Sequence, residues 1–285
     1  MTDSPDQALV DSPWVPPTSL SPSRVESFLS CPLAFRFSSI ERLPDPPSVA
    51  TTRGSLVHRA LELLFLNPPA ERTATALDHA VEVAIAEYRE HPDFTLLGLD
   101  AAATAAFDAE CRDLATGYLT MEDPTAVRDI GLELRLEAPV GALTLRGIID
   151  RLELDADGEL VVTDYKTGRA PSPNFERKSL AGLNFYAFLC ESIFGKRPAA
   201  IRLMYLKSRE TITATPTEQS TRFLVTRTAA VYQAVVTACM RDDFRPRQSA
   251  LCNFCAYRPW CPEFGGDPAR AAIEAPVQLA RPVGR

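Results

Sequence analysis

The sequence predicts a mixed α/β fold in which a central sheet is flanked by helices. Leu143 to Leu154 and the run from Leu160 are rich in Leu, Ile and Val, and turn-forming residues at 155–158 separate them. These two runs are therefore expected to form a β-hairpin. Ile130 to Val140 alternates apolar and polar residues, which predicts a strand directly before the hairpin. Apolar residues at helical spacing on both sides of the strands complete the α/β pattern.

Helices are predicted before and after these strands. Ser21-Pro22 is a favourable helix start, because Ser can cap the first turn and Pro fits the first helical position. A second helix is expected from Arg53 to about Phe65, and the segments 74–90 and 99–121 are expected to form an acidic helical lobe. Beyond the hairpin, the pattern predicts helices at Phe175 to Phe194 and Thr226 to Arg241, with a strand at Ala200 to Leu206 between them.

The composition is typical of a soluble globular protein. The 285 residues are 46% hydrophobic and 24% charged, enough to bury a sizeable core. The sequence has no run of about eighteen apolar residues, so no membrane span or membrane partner is expected. Its Pro-rich, acidic N-terminus is unlike a signal peptide. We therefore expect a cytoplasmic protein.

Charge is unevenly distributed along the chain. The net charge of −7 argues against a general nucleic-acid coat protein. Residues 71–123 carry twelve acidic and three basic side chains, whereas the segment from Lys166 to Arg209 carries nine basic and two acidic ones. Such a basic segment could line a groove for a polyanion or form an ordinary solvated face.

Asp150, Asp164 and Lys166 form a candidate reaction centre on the hairpin. Residues two apart in a strand share a face, so Asp164 and Lys166 point the same way, while Asp150 lies on the neighbouring strand. Burying these charges is costly unless they find partners, and a divalent cation is one such partner. Mg²⁺ or Mn²⁺ could be held by the two carboxylates, with Lys166 stabilising charge in the transition state. The alternative is a surface Asp-Lys pair at a strand end.

Seven cysteines are present, and three of them are crowded near the C-terminus. Cys252, Cys255 and Cys261 have the spacing C-x2-C-x5-C, which favours a metal site over disulfides inside the cell. Cys31, which also precedes a Pro, is the candidate fourth ligand. Four thiolates suit either zinc or an iron–sulfur cluster. The other three cysteines lie within helical patterns and are expected to be buried, namely Cys111, Cys190 and Cys239.

Together these motifs resemble the RecB-type, Cas4-like exonucleases of the PD-(D/E)XK nuclease superfamily. The resemblance covers about residues 19–264 and rests on five motifs in order. They are S-x-S followed by C-P (Ser21 to Pro32), G-x-x-x-H (Gly54 to His58), G-x-x-D (Gly147 to Asp150), D-Y-K-T-G (Asp164 to Gly168) and the cysteine cluster. It implies a restriction-endonuclease-like core, with a mixed central sheet between helices and a four-cysteine cluster clasping the N- and C-terminal parts.

The resemblance also implies a role for each motif residue. His58, Asp150, Asp164 and the carbonyl of Tyr165 would bind Mg²⁺ or Mn²⁺, with Lys166 as the catalytic lysine. Glu133 matches an acidic position on the preceding strand. The family's Q-x-x-x-Y motif aligns with Gly182 to Tyr186, so that Tyr186 is kept and the Gln is replaced by Gly182. A [4Fe–4S] cluster would be held by Cys31, Cys252, Cys255 and Cys261.

The expected function is a metal-dependent DNA exonuclease acting on single-stranded DNA or DNA ends in repair or recombination, together with possible repair-complex proteins. Candidate phosphate contacts follow the active-site strand, at Arg169, Arg177 and Lys178. The rival is a non-catalytic DNA-binding or repair-complex scaffold that keeps the fold and the cluster; a weaker alternative is a zinc-clasped structural protein. Gly182 and the acidic net charge favour the scaffold.

The expected domain organisation is one nuclease domain between two tails. A disordered N-terminal tail spans 1–18 and a flexible C-terminal tail spans 265–285. The nuclease domain, 19–264, contains a helical insertion at 70–123 and the iron–sulfur clasp at 252–261 with Cys31.

Overall fold

The computed structural model describes residues 13–280, except for the side chains of residues 173–181. The helices are α1 (Pro22–Ser30), α2 (Pro32–Phe35), α3 (Val49–Phe65), α4 (Ala74–Arg89), α5 (Pro92–Thr95), α6 (Ala101–Tyr118), α7 (Pro173–Phe194), α8 (Glu218–Arg241) and α9 (Ala271–Gln278). The strands are β1 (Ser19–Leu20), β2 (Arg128–Val140), β3 (Leu143–Leu154), β4 (Leu160–Lys166), β5 (Ala200–Tyr205) and β6 (Glu210–Ala214).

These strands form one mixed sheet. Its order is β1-β3-β4-β5-β6, and β2 also pairs with β3. The β3–β4 pair is antiparallel, with Arg151 opposite Thr163. The β4–β5 pair is parallel, because α7 carries the chain back between the two strands, and β5–β6 is antiparallel. The mixed sheet flanked by helices agrees with the expected fold class.

A tight turn fixes the register of the central hairpin. Asp155 Oδ1 accepts hydrogen bonds from the backbone N–H groups of Asp157 (3.0 Å) and Glu159 (2.8 Å). Gly158 has a φ of 77°, a left-handed conformation that residues with a Cβ rarely adopt. The Asp155 N–H then donates to the Glu159 carbonyl at 3.0 Å, which closes the turn. Asp155 and Gly158, two of the expected turn residues, therefore have structural roles.

The chain forms two compact units. The larger unit comprises Pro47–Glu137 and Gly147–Thr221. Its apolar core is built where α3, α4 and α6 pack together and against β4 and β5, and it includes Leu61, Leu64, Leu114, Tyr165 and Met204. The helices α4 and α6 are the acidic lobe expected from the sequence, and their bounds lie within a few residues of the expected ones.

Among the described residues, the smaller unit comprises 13–46, 138–146 and 222–280. Ser21 caps α1 by accepting from the Arg24 N–H at 3.3 Å, as the sequence predicts. Residues 265–280 were expected to belong to a flexible tail. The structure places α9 there, with Ala271 and Ala275 buried and Glu274 accepting a hydrogen bond from Trp260 Nε1 at 2.9 Å.

The helix α8 is the one described helix that is long and apolar enough, by composition, to cross a membrane. Val231, Val235 and Cys239 on this helix are buried within the protein, so one side of α8 contributes to a folded core.

Candidate active site

The helix α3 presents His58 toward the end of β4. Ser48 caps the helix by accepting from the Thr51 N–H at 3.1 Å, and the Thr51 side chain accepts from the Ser48 N–H at 3.0 Å. His58 Nε2 lies 2.9 Å from the backbone carbonyl of Tyr165. Because a carbonyl can only accept, Nε2 is the donor, and Nδ1 faces the neighbouring acidic side chains.

Asp150 on β3 meets His58 at the same point. Asp150 Oδ2 accepts the Tyr165 N–H at 2.7 Å and lies 3.5 Å from His58 Nδ1. The peptide groups on either side of the Tyr165 Cα therefore hold both side chains, one through an N–H and the other through a carbonyl. This arrangement fixes His58 and Asp150 relative to each other.

Glu133 completes the group from β2. Its Oε1 lies 4.0 Å from His58 Nδ1, and one ligand atom from each of His58, Glu133 and Asp150 falls within 4.8 Å of the others. The Glu133 backbone has a φ of 43°, a left-handed conformation that is costly for a residue with a Cβ. Such an irregularity inside a strand re-aims a side chain out of the regular alternation. We conclude that β2 is distorted at Glu133, where this side chain approaches the site.

Asp164, Lys166 and Tyr186 form the adjoining part of the site. Lys166 Nζ forms an ion pair with Asp164 Oδ2, and Tyr186 on α7 donates to Asp164 Oδ1 at 3.3 Å. Asp164 is buried, whereas the Lys166 side chain is half-exposed and so accessible to a large substrate. Both contacts follow from the face that Asp164 and Lys166 share on β4.

Crowded negative charge governs the electrostatics of this site. Burial and the Asp150 carboxylate raise the pKa of Glu133 to about 7. The pKa of Asp164 is also raised, by burial first and then by Asp150, although Lys166 opposes the shift. Burial would lower the pKa of His58, but the carboxylates of Asp150, Asp164 and Glu133 outweigh it and raise the pKa. Raised pKa values are expected where several carboxylates converge without an opposing charge of equal size.

The donor set fits a hard divalent cation. Carboxylate and carbonyl oxygens with one imidazole nitrogen suit Mg²⁺ or Mn²⁺ better than thiolate-seeking metals. Among the described residues, His58, Glu133 and Asp150 are the one set of three or more His, Cys, Asp or Glu ligand atoms that converge this closely. A cation there would also relieve the repulsion among the carboxylates.

The PD-(D/E)XK nuclease superfamily matches residues 19–262, most of the chain.

The chain belongs to the PD-(D/E)XK nuclease superfamily.

Two similar proteins extend this comparison. The Gene 69 protein of Mycobacterium phage D29 is 23% identical over 270 residues, covering 86% of this chain and 96% of the phage protein. A solved structure described as "Putative exonuclease" from Eubacterium rectale has a TM-score of 0.52 at 9% identity, covering 84% of this chain and 88% of that one. The latter similarity concerns the fold alone, and it agrees with the PD-(D/E)XK core expected from the sequence.

The candidate DNA contacts and Gly182 of this PD-(D/E)XK protein lie beyond the active-site strand β4. Arg169 is exposed in the loop that follows β4. Arg177 and Lys178 fall within α7, but their side chains lie outside the described residues. Gly182 lies one helical turn before Tyr186, and a Cβ built on it would meet no atom within 4 Å. The position at which the resemblance expects a Gln therefore has room for a side chain.

Four cysteines of this superfamily member line one cavity in the smaller unit. The cavity is bordered by Cys31, Cys252, Cys255 and Cys261, with Arg247 and Phe264 among the other lining residues. Burial, and then the proximity of the other sulfurs, raises the pKa of the Cys255 thiol. Burial likewise raises the pKa of the Cys261 thiol. The four thiols thus face one another from two distant parts of the chain, although none of the described Cys Sγ atoms belongs to a set of three within 4.8 Å.

Sequence reasoning missed Arg151, which is fully buried beside the site. Its guanidinium donates to Glu153 (2.5 Å), Glu122 (2.5 Å) and the Tyr165 hydroxyl (2.7 Å). The signal was available, because a charged residue in the middle of an apolar strand needs a buried partner. Glu153 shares the strand face of Arg151 and is the partner that β-strand alternation could have identified.

Proposed function

We propose that this protein is a metal-dependent DNA exonuclease of the RecB/Cas4-like type, acting on single-stranded DNA or DNA ends in the cytoplasm. A role in DNA repair or recombination belongs to the same proposal. The observation that carries it is the convergence of His58, Glu133 and Asp150 within 4.8 Å, beside the Lys166–Asp164 ion pair. Membership of the nuclease superfamily supports hydrolysis of phosphodiesters.

In this proposal the metal is held by His58, Glu133 and Asp150, with Asp164 and the carbonyl of Tyr165 as further ligands. When bound, Mg²⁺ or Mn²⁺ supplies charge neutralisation at the phosphate and lowers the pKa of a coordinated water. Lys166 acts beside it: its half-exposed ammonium is held by Asp164 and can stabilise negative charge that develops on the scissile phosphate. Burial would lower the pKa of Lys166, but the ion pair with Asp164 and the nearby Asp150 together outweigh it and raise the pKa, so the side chain stays cationic.

Tyr186 and Arg169 have supporting roles in the proposal. The Tyr186 hydroxyl donates to Asp164, which orients the carboxylate that pairs with Lys166. Arg169 is exposed immediately after the active-site strand, where it can contact a DNA phosphate. Arg177 and Lys178 on α7 are proposed as further phosphate contacts.

The second part of the proposal is a [4Fe–4S] cluster on Cys31, Cys252, Cys255 and Cys261. Support comes from the cavity that the four thiols share. Four thiolates suit either an iron–sulfur cluster or a tetrahedral zinc ion, so the iron and zinc content of the purified protein decides between them.

Nuclease assays with end-labelled DNA test the proposed activity. We expect Lys166→Ala and Asp150→Asn to lower Mn²⁺-dependent nucleotide release by at least about 100-fold, because each removes an essential charge from the site. Lys196→Ala is the matched control, since this exposed lysine pairs with Glu159 at 2.8 Å on the surface. Substrates labelled at either end, single- or double-stranded, report polarity and strand preference.

The scaffold alternative is favoured by Gly182, which leaves no side chain where the resemblance expects a Gln, and by the acidic net charge. If the wild-type protein binds DNA but releases no nucleotides with Mn²⁺ or Mg²⁺, the exonuclease proposal is wrong and the scaffold replaces it. If both site variants degrade DNA at the wild-type rate, the assignment of the active site is wrong.

A further inference from the structure

A buried polar network lies on the opposite face of β3 from Asp150. Arg151 is next to Asp150 in the strand, so its side chain points to the other face of the sheet. It is 0% exposed and its guanidinium stacks over the Phe65 ring at 4.6 Å. Arg151 Nη1 and Nη2 donate to the two carboxylate oxygens of Glu122, at 2.5 and 3.1 Å. A forked pair of this kind is both strong and geometrically specific.

Two tyrosine hydroxyls meet the same guanidinium. Arg151 Nη1 donates to the Tyr165 hydroxyl at 2.7 Å and lies 3.3 Å from the Tyr118 hydroxyl. Tyr118 in turn donates to Glu122 at 2.7 Å. Both tyrosines are buried, and their rings contact edge to face with centroids 5.9 Å apart. They therefore occupy similar surroundings within one network.

Only one of the two tyrosines is connected to the candidate metal site. The Tyr165 N–H donates to Asp150, and the Tyr165 carbonyl accepts from His58. The position of this backbone segment thus sets the separation of two proposed ligands. The Tyr165 hydroxyl is anchored by Arg151 at the far end of a rigid ring, so the anchor restrains the backbone through the side chain.

We propose that Arg151 is a positioning residue for the metal site, acting through the Tyr165 hydroxyl to hold the backbone that orients His58 and Asp150. The inference rests on the proposed function in that it assumes a divalent cation at this site. Groups that orient metal ligands from behind commonly change metal affinity when they are removed. Glu122 and Glu153 complete the network by holding the guanidinium from two other sides.

The test compares Tyr165→Phe with Tyr118→Phe. Each variant removes one buried hydroxyl beside Arg151 and keeps the ring, so the two should lose similar stability, which thermal denaturation will measure. Mn²⁺ affinity is measured by isothermal titration calorimetry without DNA. We expect Tyr165→Phe to weaken Mn²⁺ binding about 10- to 100-fold and Tyr118→Phe to change it by less than about twofold.

Measuring metal binding without DNA keeps this inference separate from the proposed activity. Equal Mn²⁺ affinity in Tyr165→Phe and wild type would overturn the positioning role, as would an equal loss in the two variants. Should Tyr165→Phe fail to fold, Glu122→Gln takes its place. This variant weakens the charged pair between Glu122 and Arg151, on the partly exposed side of the network. Wild-type Mn²⁺ affinity in that variant would then overturn the inference.

Discussion

At the scale of single residues, Tyr165 shows how one position can organise a site without contributing a reactive side chain. Its N–H and carbonyl hold Asp150 and His58, while its hydroxyl reaches the buried Arg151. Asp150, Asp164 and Lys166 could be inferred from strand alternation and motif spacing. Strand alternation could also have paired Arg151 with Glu153, but not with Glu122, which lies 29 positions away and is brought to Arg151 only by the packed structure.

Glu133 offers a residue-scale prediction from backbone strain. Glycine inside a strand normally destabilises a protein relative to alanine, by about 0.5–1 kcal/mol. At Glu133 the φ of 43° reverses this preference, because a left-handed conformation costs a residue with a Cβ about 1–2 kcal/mol. We therefore expect Glu133→Gly to be more stable than Glu133→Ala by about 1 kcal/mol in urea denaturation. Both variants should lose Mn²⁺ binding, since both lack the carboxylate.

The reverse order of stability for these two variants would show that the strand is regular at this position. The sequence pattern could not reveal the distortion, because the alternation of Leu132, Leu134 and Leu136 with charged residues is compatible with a regular strand. The distorted position is the one from which Glu133 approaches His58, a residue that is distant in the sequence.

At the scale of secondary-structure elements, most helices and strands agree with the sequence pattern, and the differences have local causes. The helix α3 begins at Val49 rather than Arg53, because the Ser48–Thr51 capping box starts it early despite three β-branched residues in its first turn. The strands β1 and β6 were not predicted. They have only two and five residues, and the pairing partner decides whether such short segments become strands.

The packing of α7 on β3 gives an element-scale prediction. A Cβ on Gly147 would lie 2.8 Å from Leu189 Cδ1 and 3.4 Å from Tyr186 Cε1, both on α7. In Gly147→Ala either the Leu189 side chain or α7 must move, and because Leu189 is fully buried we expect a cost of about 1–3 kcal/mol and a weaker Tyr186–Asp164 contact. Gly182→Ala is the matched control on the same helix. It should be neutral or stabilising by up to about 1 kcal/mol, because it adds a helix-favouring residue in open space.

Chemical denaturation measures both glycine variants, and Mn²⁺-dependent turnover reports the effect on Tyr186. A Gly147→Ala protein as stable as wild type would mean that Leu189 repacks without cost. In that case the close contact does not set the position of α7.

At the scale of the whole molecule, the cysteines divide into two groups with different surroundings. Cys31 and the three cysteines of the 252–261 segment line one cavity of the smaller unit, although Cys31 and Cys252 are 221 positions apart in sequence. The other three are fully buried, as expected from their helical patterns. Burial raises the pKa of both Cys111 and Cys190 to about 12, which keeps them as inert thiols.

We expect anaerobically purified protein to be brown and to contain about four iron and four sulfide per chain. Cys31→Ser should lose this iron and melt at a lower temperature, because a ligand is removed from a clasp that closes a long loop. Cys111→Ala is the control and should retain the iron. Colourless protein with one zinc per chain would refute the cluster and favour the structural zinc site.

The length of the hairpin turn at Asp155 to Glu159 restricts which insertions and deletions related chains can accept. Asp150 and Arg151 are neighbours in β3 and lie on opposite faces of the sheet. Asp150 faces the proposed cation, whereas Arg151 is fully buried. Adding or deleting a single residue in that turn would shift the register of the β3–β4 pair by one residue. Side chains that now share one face of the sheet would then lie on opposite faces. In related chains, the number of residues between the positions of Asp150 and Asp164 should therefore stay fixed. Insertions should be tolerated in other surface loops.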